Sequence, residues 1–121
     1  MAKTKVKKSK FPKTLTIKRS QWCRGGKEKY GPSMLCNDRG FRCCLGFLGR
    51  ACGLKDGQMV DIAAPISEEL GEGRNLFPKP KEDWGVFMEV NDDPNMSSHQ
   101  REKKLTELFK DELGIKVKFK P

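Results

Sequence analysis

"FRCCLGFLGRACGL", residues 41–54, puts two adjacent cysteines, a third eight residues on, and glycines at 46, 49 and 53 into one apolar run. The run suits a metal site, a reactive thiol or a core helix, and the choice among them decides the fold. At about 100° per residue, Cys44, Leu45, Phe47, Leu48, Ala51 and Cys52 share one arc of a helix over 44–52, with Arg50 on the far side. Thiols on such an arc behave as small hydrophobes. Gly46 and Gly49 flank the arc, and each costs roughly 1 kcal/mol of helix propensity. A second backbone packed close against them would offset that cost. The core-helix reading is therefore preferred.

Zinc is disfavoured by spacing. Structural sites pair their ligands as C-x₂₋₄-C, because two thiolates from one tight turn must reach one ion. Cysteines at 23, 36, 43, 44 and 52 form no such pair, and the single histidine, His99, stands far along the chain. No metal and no cofactor is expected. One functional alternative survives at the start of the run. Cys43 and Cys44 stand where a strand turns into a helix, and no Ser, Thr, Asp or Asn precedes them to cap it. An uncapped helix start attracts anions and lowers the pKa of a thiol. With Arg42 and Arg50 near, the turn is a candidate site for a phosphate or a small nucleotide.

Working outward, "PSMLCNDRGFRCC" (32–44) predicts a β-hairpin with "MLC" and "FRC" as arms and "NDRG" as turn. "TLTIK" (14–18) alternates polar and apolar residues, as a half-buried strand does. "SQWCRGG" (20–26) begins as a short helix broken by Gly25 and Gly26. Residues 55–96 show no sustained period, although Asp56 suits one capped turn and "PISEEL" (65–70) a helix start. A loop pinned by Leu76, Phe77, Trp84 and Phe87 is expected there. Ser97 with Gln100 makes a capping box, and Leu105, Leu108, Phe109 and Leu113 form a helical stripe that Gly114 ends. "IKVKFK" (115–120) alternates strictly. The architecture expected is α+β: a small, mostly antiparallel sheet of strands 14–18, 34–37, 41–43 and 115–119, covered on one face by helices 44–52 and 98–113.

The formal charge of +9 over 121 residues is unevenly spread. Residues 1–30 hold eleven Lys or Arg and one acid, whereas residues 31–100 are net negative. "MAKTKVKKSKFPK" (1–13) is too polar to offset its ordering entropy and reads as a disordered basic tail. Residues 14–121 read as one domain. If the first and last strands are neighbours, Lys18, Lys116, Lys118 and Lys120 line one surface, a footprint for phosphates. The same lysines also suit a solvated edge that discourages aggregation. With no apolar run of about 20 residues, no membrane contact is expected. The charged start and the odd cysteine number point to the cytoplasm.

"EVNDD" (89–93) clusters carboxylates, but Asp92, Asp93, Pro94 and Asn95 are ordinary residues for the turn before a capped helix. No Walker loop, GxGxxG, GxSxG or HExxH motif is present, so no enzyme is expected.

"RSQW-RG", "SMLCNDRGFRCCLGFLGRACGL", "MEVNDD" and "ELFKDELGIKVKF" together resemble a family of small uncharacterised bacteriophage and prophage proteins. The likeness spans roughly residues 15–121 and leaves out the Lys-rich start. The resemblance implies a non-enzymatic phage accessory protein in the bacterial host cytoplasm. Such a protein would bind and inhibit or redirect a host protein, with one engaged in defence the expected target. The alternative is a nucleic-acid binder acting through the Lys-rich N-terminus and the basic sheet face.

Overall fold

A computed structural model describes residues 11–121. The expected tail therefore lies almost wholly outside the described residues. Strand β1 (Thr14–Lys18) leads into a 3-10 turn, Arg19–Gln21, and a second one follows at Glu28–Tyr30. Four α-helices come next: α1 (Cys44–Ala51), α2 (Asp56–Met59), α3 (Gly85–Asp92) and α4 (Ser98–Leu108). A 3-10 stretch, Glu68–Leu76, kinked at Gly71, links α2 to α3. A single π-turn, Phe109–Leu113, extends α4, and β2 (Lys116–Lys120) closes the chain.

The expected antiparallel sheet is not formed. The fold is helix-rich, and its sheet, among the described residues, is the parallel pair β1–β2. Thr14 faces Lys116, Thr16 faces Lys118 and Lys18 faces Lys120. Parallel neighbours need a crossover, and here residues 19–115 supply it. The hairpin over 34–44 is corrected too. Its turn closes through Asn37 N–H to the Phe41 carbonyl at 2.9 Å and Cys43 N–H to the Met34 carbonyl at 3.0 Å, but no strand ladder forms and the other arm bonds go to other segments. Leu35 N–H donates to the Ile62 carbonyl and Asp61 N–H to the Cys36 carbonyl, each within 2.9 Å. Arg42 N–H donates to the Gln21 carbonyl, and the Arg42 carbonyl accepts from Cys23 N–H. The Asn37 side chain explains the rearrangement. Its Oδ1 accepts from Arg39 and Phe41 N–H, and its Nδ2 donates to the Tyr30 and Pro32 carbonyls. One buried amide thus ties the turn to the preceding loop as well as to itself.

α1 does not lie over a sheet; it is the centre of the molecule. Residues 44–49 are buried around the whole circumference, as expected of a helix enclosed by other elements. Only Arg50, Ala51 and Cys52 reach solvent, so the arc read from the sequence is narrower than the buried surface. Gly46 makes this possible. A Cβ there would run into the Leu35 carbonyl, so the 34–36 segment rests directly on the helix backbone.

"WGVFMEV", expected as a pinned loop, forms α3. Its Phe87 is fully buried and meets Phe109 edge-on at 4.9 Å between ring centroids. α4 carries the capping box read from the sequence: Gln100 N–H donates to Ser97 Oγ, and Ser97 N–H donates to Gln100 Oε1. Gly114, at φ 71°, ends the helical segment in the left-handed region and turns the chain into β2. One cluster of buried side chains, from Leu15 to Val117, forms the core.

Candidate anion-binding surfaces

The turn at Cys43–Cys44 is occupied by the protein itself. No residue next to α1 caps it, as the sequence indicates, but Asn91 arrives from the end of α3. Asn91 Oδ1 accepts from Cys44 N–H at 3.0 Å and from Trp22 Nε1–H at 2.8 Å. Its Nδ2 donates to the Cys23 carbonyl at 3.0 Å and to Asp92 Oδ1 at 2.9 Å. Asp92 in turn accepts from the Ser33 hydroxyl at 2.6 Å. Asn91 is a buried side chain that supplies the missing cap from a distance of 47 residues. Three segments far apart in sequence, "QW-RG", "CC" and "VNDD", therefore meet at one amide.

The thiols show no sign of activation. Burial pushes Cys43 up to about 12 and Cys44 well above the ordinary thiol value, and it raises Cys52 to about 11. Desolvation outweighs the backbone N–H groups of the helix start, which act in the opposite direction. All five cysteines are free. Among the described residues, no three His, Cys, Asp or Glu side chains group as metal ligands.

The two arginines proposed for the turn are brought together elsewhere. Arg42 grips Asp56 with Nε at 3.0 Å and Nη2 at 2.7 Å, and Arg50 Nη1 lies 3.4 Å from the same carboxylate. The hydrogen bond from Arg42 holds the Asp56 carboxyl below its ordinary value. Arg50 ties α2 to α1, and Arg42 ties α2 to the segment that precedes α1.

The lysine face is assembled as the sequence conditionally required. β1 and β2 are neighbours, and Lys18, Lys116, Lys118 and Lys120 are exposed on one side with Thr14 and Thr16 among them. Leu15, Ile17 and Val117 point into the core from the other side, and Phe119 is half-buried against Trp22 at 5.3 Å. Lys18 stands directly opposite Lys120. Among the described residues, none of the four has a carboxylate within ion-pair distance. Arg19, at the end of β1, is drawn away from this face. It pairs with Glu102 of α4 at 2.7 and 2.8 Å.

Two features were missed from the sequence. Arg101 is a buried arginine. Its Nη1 donates to the Val90 and Asn91 carbonyls, and its Nη2 donates to the Met96 carbonyl, so it caps the C-terminal end of α3. Its position four residues before Leu105, on the buried side of α4, was the available signal. The other is a groove of about 640 Å³ beside Ile66 and Trp84. It is built from the aperiodic 65–84 region, where no pattern pointed to it.

No helix among the described residues is long and apolar enough to cross a membrane. No protein-family model matches the chain, and neither a curated protein nor a solved structure matches it.

Proposed function

We propose that the chain is a binding protein, not an enzyme, and that its lysine face takes the phosphate backbone of a nucleic acid. The supporting observation is the register of the two strands. Four lysines and two threonines share one exposed surface, with Lys18 and Lys120 directly opposite each other. Like charges directly opposite in a sheet are destabilising. A solvated edge would be served as well by lysines set apart or alternating with acids. A bound polyanion relieves the repulsion and releases its own counterions. The surface carries no exposed aromatic platform on these strands, so the reading is of backbone contact without base recognition.

Fluorescence anisotropy with labelled single- and double-stranded oligonucleotides, across a salt series, tests this. Binding should weaken steeply with salt. Each Lys→Gln change on the face should lower the slope of log K against log salt by about 1. Unchanged binding by the fourfold Lys→Gln variant would move the site to the Lys-rich N-terminus. Absence of binding at low salt would end the reading.

A protein partner, the role that the phage resemblance implies, is favoured by a different observation: the apolar groove beside the strongly exposed Ile66. A pull-down from host lysate after nuclease treatment separates the two. A stable protein partner that survives nuclease supports the second, and recovery of nucleic acid alone supports the first.

A further inference from the structure

The groove beside Trp84 is lined by Pro65, Pro78 and Pro80 together with Phe77 and Trp84. Phe77 and Trp84 are buried and meet edge-on at 5.9 Å, so this part of the lining is braced by the core. Proline fixes φ, so the prolines lose little further freedom when something binds beside them. Ile66 stands at the rim with 69% of its surface exposed, and Phe11 stands there with 37% exposed.

Charge identifies the occupant. The ionic side chains that line the groove are Arg74 and Lys79, and no carboxylate lines it. Among the described residues neither cation has an ion-pair partner; Arg74 Nε donates only to the Gly71 carbonyl. A second copy of the chain, also at +9, would bring like charge to like charge. The same objection applies to the chain's own residues 1–10. A nucleic-acid backbone would find two cations here against four lysines on the strand face, and the buried Phe77 and Trp84 offer no surface for a base to stack on.

We propose that this groove docks an acidic segment of a partner protein, with one apolar side chain seated against Ile66 between the prolines and carboxylates meeting Arg74 and Lys79. The proposal rests on the protein-partner reading, and the two fail separately. That reading falls if nothing but nucleic acid is recovered from lysate. The groove proposal falls on its own evidence, as follows.

The probe is a labelled peptide that alternates Glu with Leu and Phe, added to the ¹⁵N-labelled full chain, with a counterpart carrying Lys in place of Glu. Amide shifts from the acidic peptide should centre on Ile66, Arg74, Lys79 and the Trp84 indole. The basic counterpart should leave them in place. Ile66→Lys, on an exposed side chain that folding does not need, should weaken the acidic peptide by at least about tenfold. Arg74→Glu with Lys79→Glu should reverse the preference, so that the basic peptide binds better. Shifts confined to Lys18, Lys116, Lys118 and Lys120, or affinity indifferent to Ile66→Lys, would overturn the proposal. So would concentration-dependent dimerisation that maps to Ile66 without peptide, which would give the groove to a second copy.

Discussion

At the scale of single residues, Asn91 carries more of the structure than any residue the sequence marked out. A neutral amide has two donors and one acceptor with two lone pairs. At Asn91 all of that capacity is used inside the core: two donors reach it, from Trp22 and Cys44, and it donates to Cys23 and Asp92. Asn91→Ala would leave an indole N–H, a helix-start N–H and a carbonyl buried without partners. Each such group costs about 1–3 kcal/mol, so the variant should lose about 3 kcal/mol or more in urea unfolding. A loss under about 1 kcal/mol would mean that water replaces the amide and that the anion reading of the α1 start deserves revival. In the sequence the residue was legible only as one member of the "EVNDD" run. Nothing local announces that an asparagine will cap a helix 47 positions earlier, because the pairing exists only after α3 has packed beside α1.

At the scale of elements, legibility followed periodicity. α1, the capping box of α4 and the inward faces of both strands were readable because each rests on a repeating pattern or a local motif. Strand direction was not. Alternation in "TLTIK" and "IKVKFK" fixes which face is buried, and it is identical for parallel and antiparallel neighbours. α3 was missed because "WGVFMEV" has apolar residues on most sides and begins without a side-chain cap, so its period was hidden. Gly46 was read correctly as a place for close backbone approach, whereas Gly49 makes room for the side chains of Met59, Phe77 and Leu54; Gly46 allows a direct test. On propensity alone, Gly46→Ala should stabilise α1 by roughly 1 kcal/mol. The Leu35 carbonyl occupies the space its Cβ needs, so the substitution should instead cost about 2 kcal/mol or more. Gly57 in α2 has nothing within 4 Å of a Cβ built on it. Gly57→Ala should therefore be neutral or stabilising by up to about 1 kcal/mol. Thermal melts of the pair check both signs, and equal effects would dismiss the packing explanation.

At the scale of the whole molecule, the parallel pair makes the two ends of the described chain a single structural unit. β1 has β2 as its partner, and residues 19–115 lie between them in sequence. The lysine face and the packing that supports it therefore depend on the last six residues. Removing 116–121 takes away Val117 and the Phe119 ring beside Trp22, and it leaves Leu15 and Ile17 uncovered. Each large apolar side chain is worth about 1.5–3 kcal/mol when buried, and β1 loses its backbone partners as well. Against a typical domain stability of about 5–15 kcal/mol, the truncated chain should lose at least about 5 kcal/mol or fail to unfold cooperatively. Urea unfolding followed by the fluorescence of Trp22 and Trp84 reports this, with removal of Pro121 alone as the control. A truncated chain with an unchanged midpoint would mean that β2 is an appendage laid on a finished core. The lysine face would then be free to rearrange. A cooperative loss would mean that the core holds the four lysines in register, so that a phosphate backbone meets a surface already formed before binding.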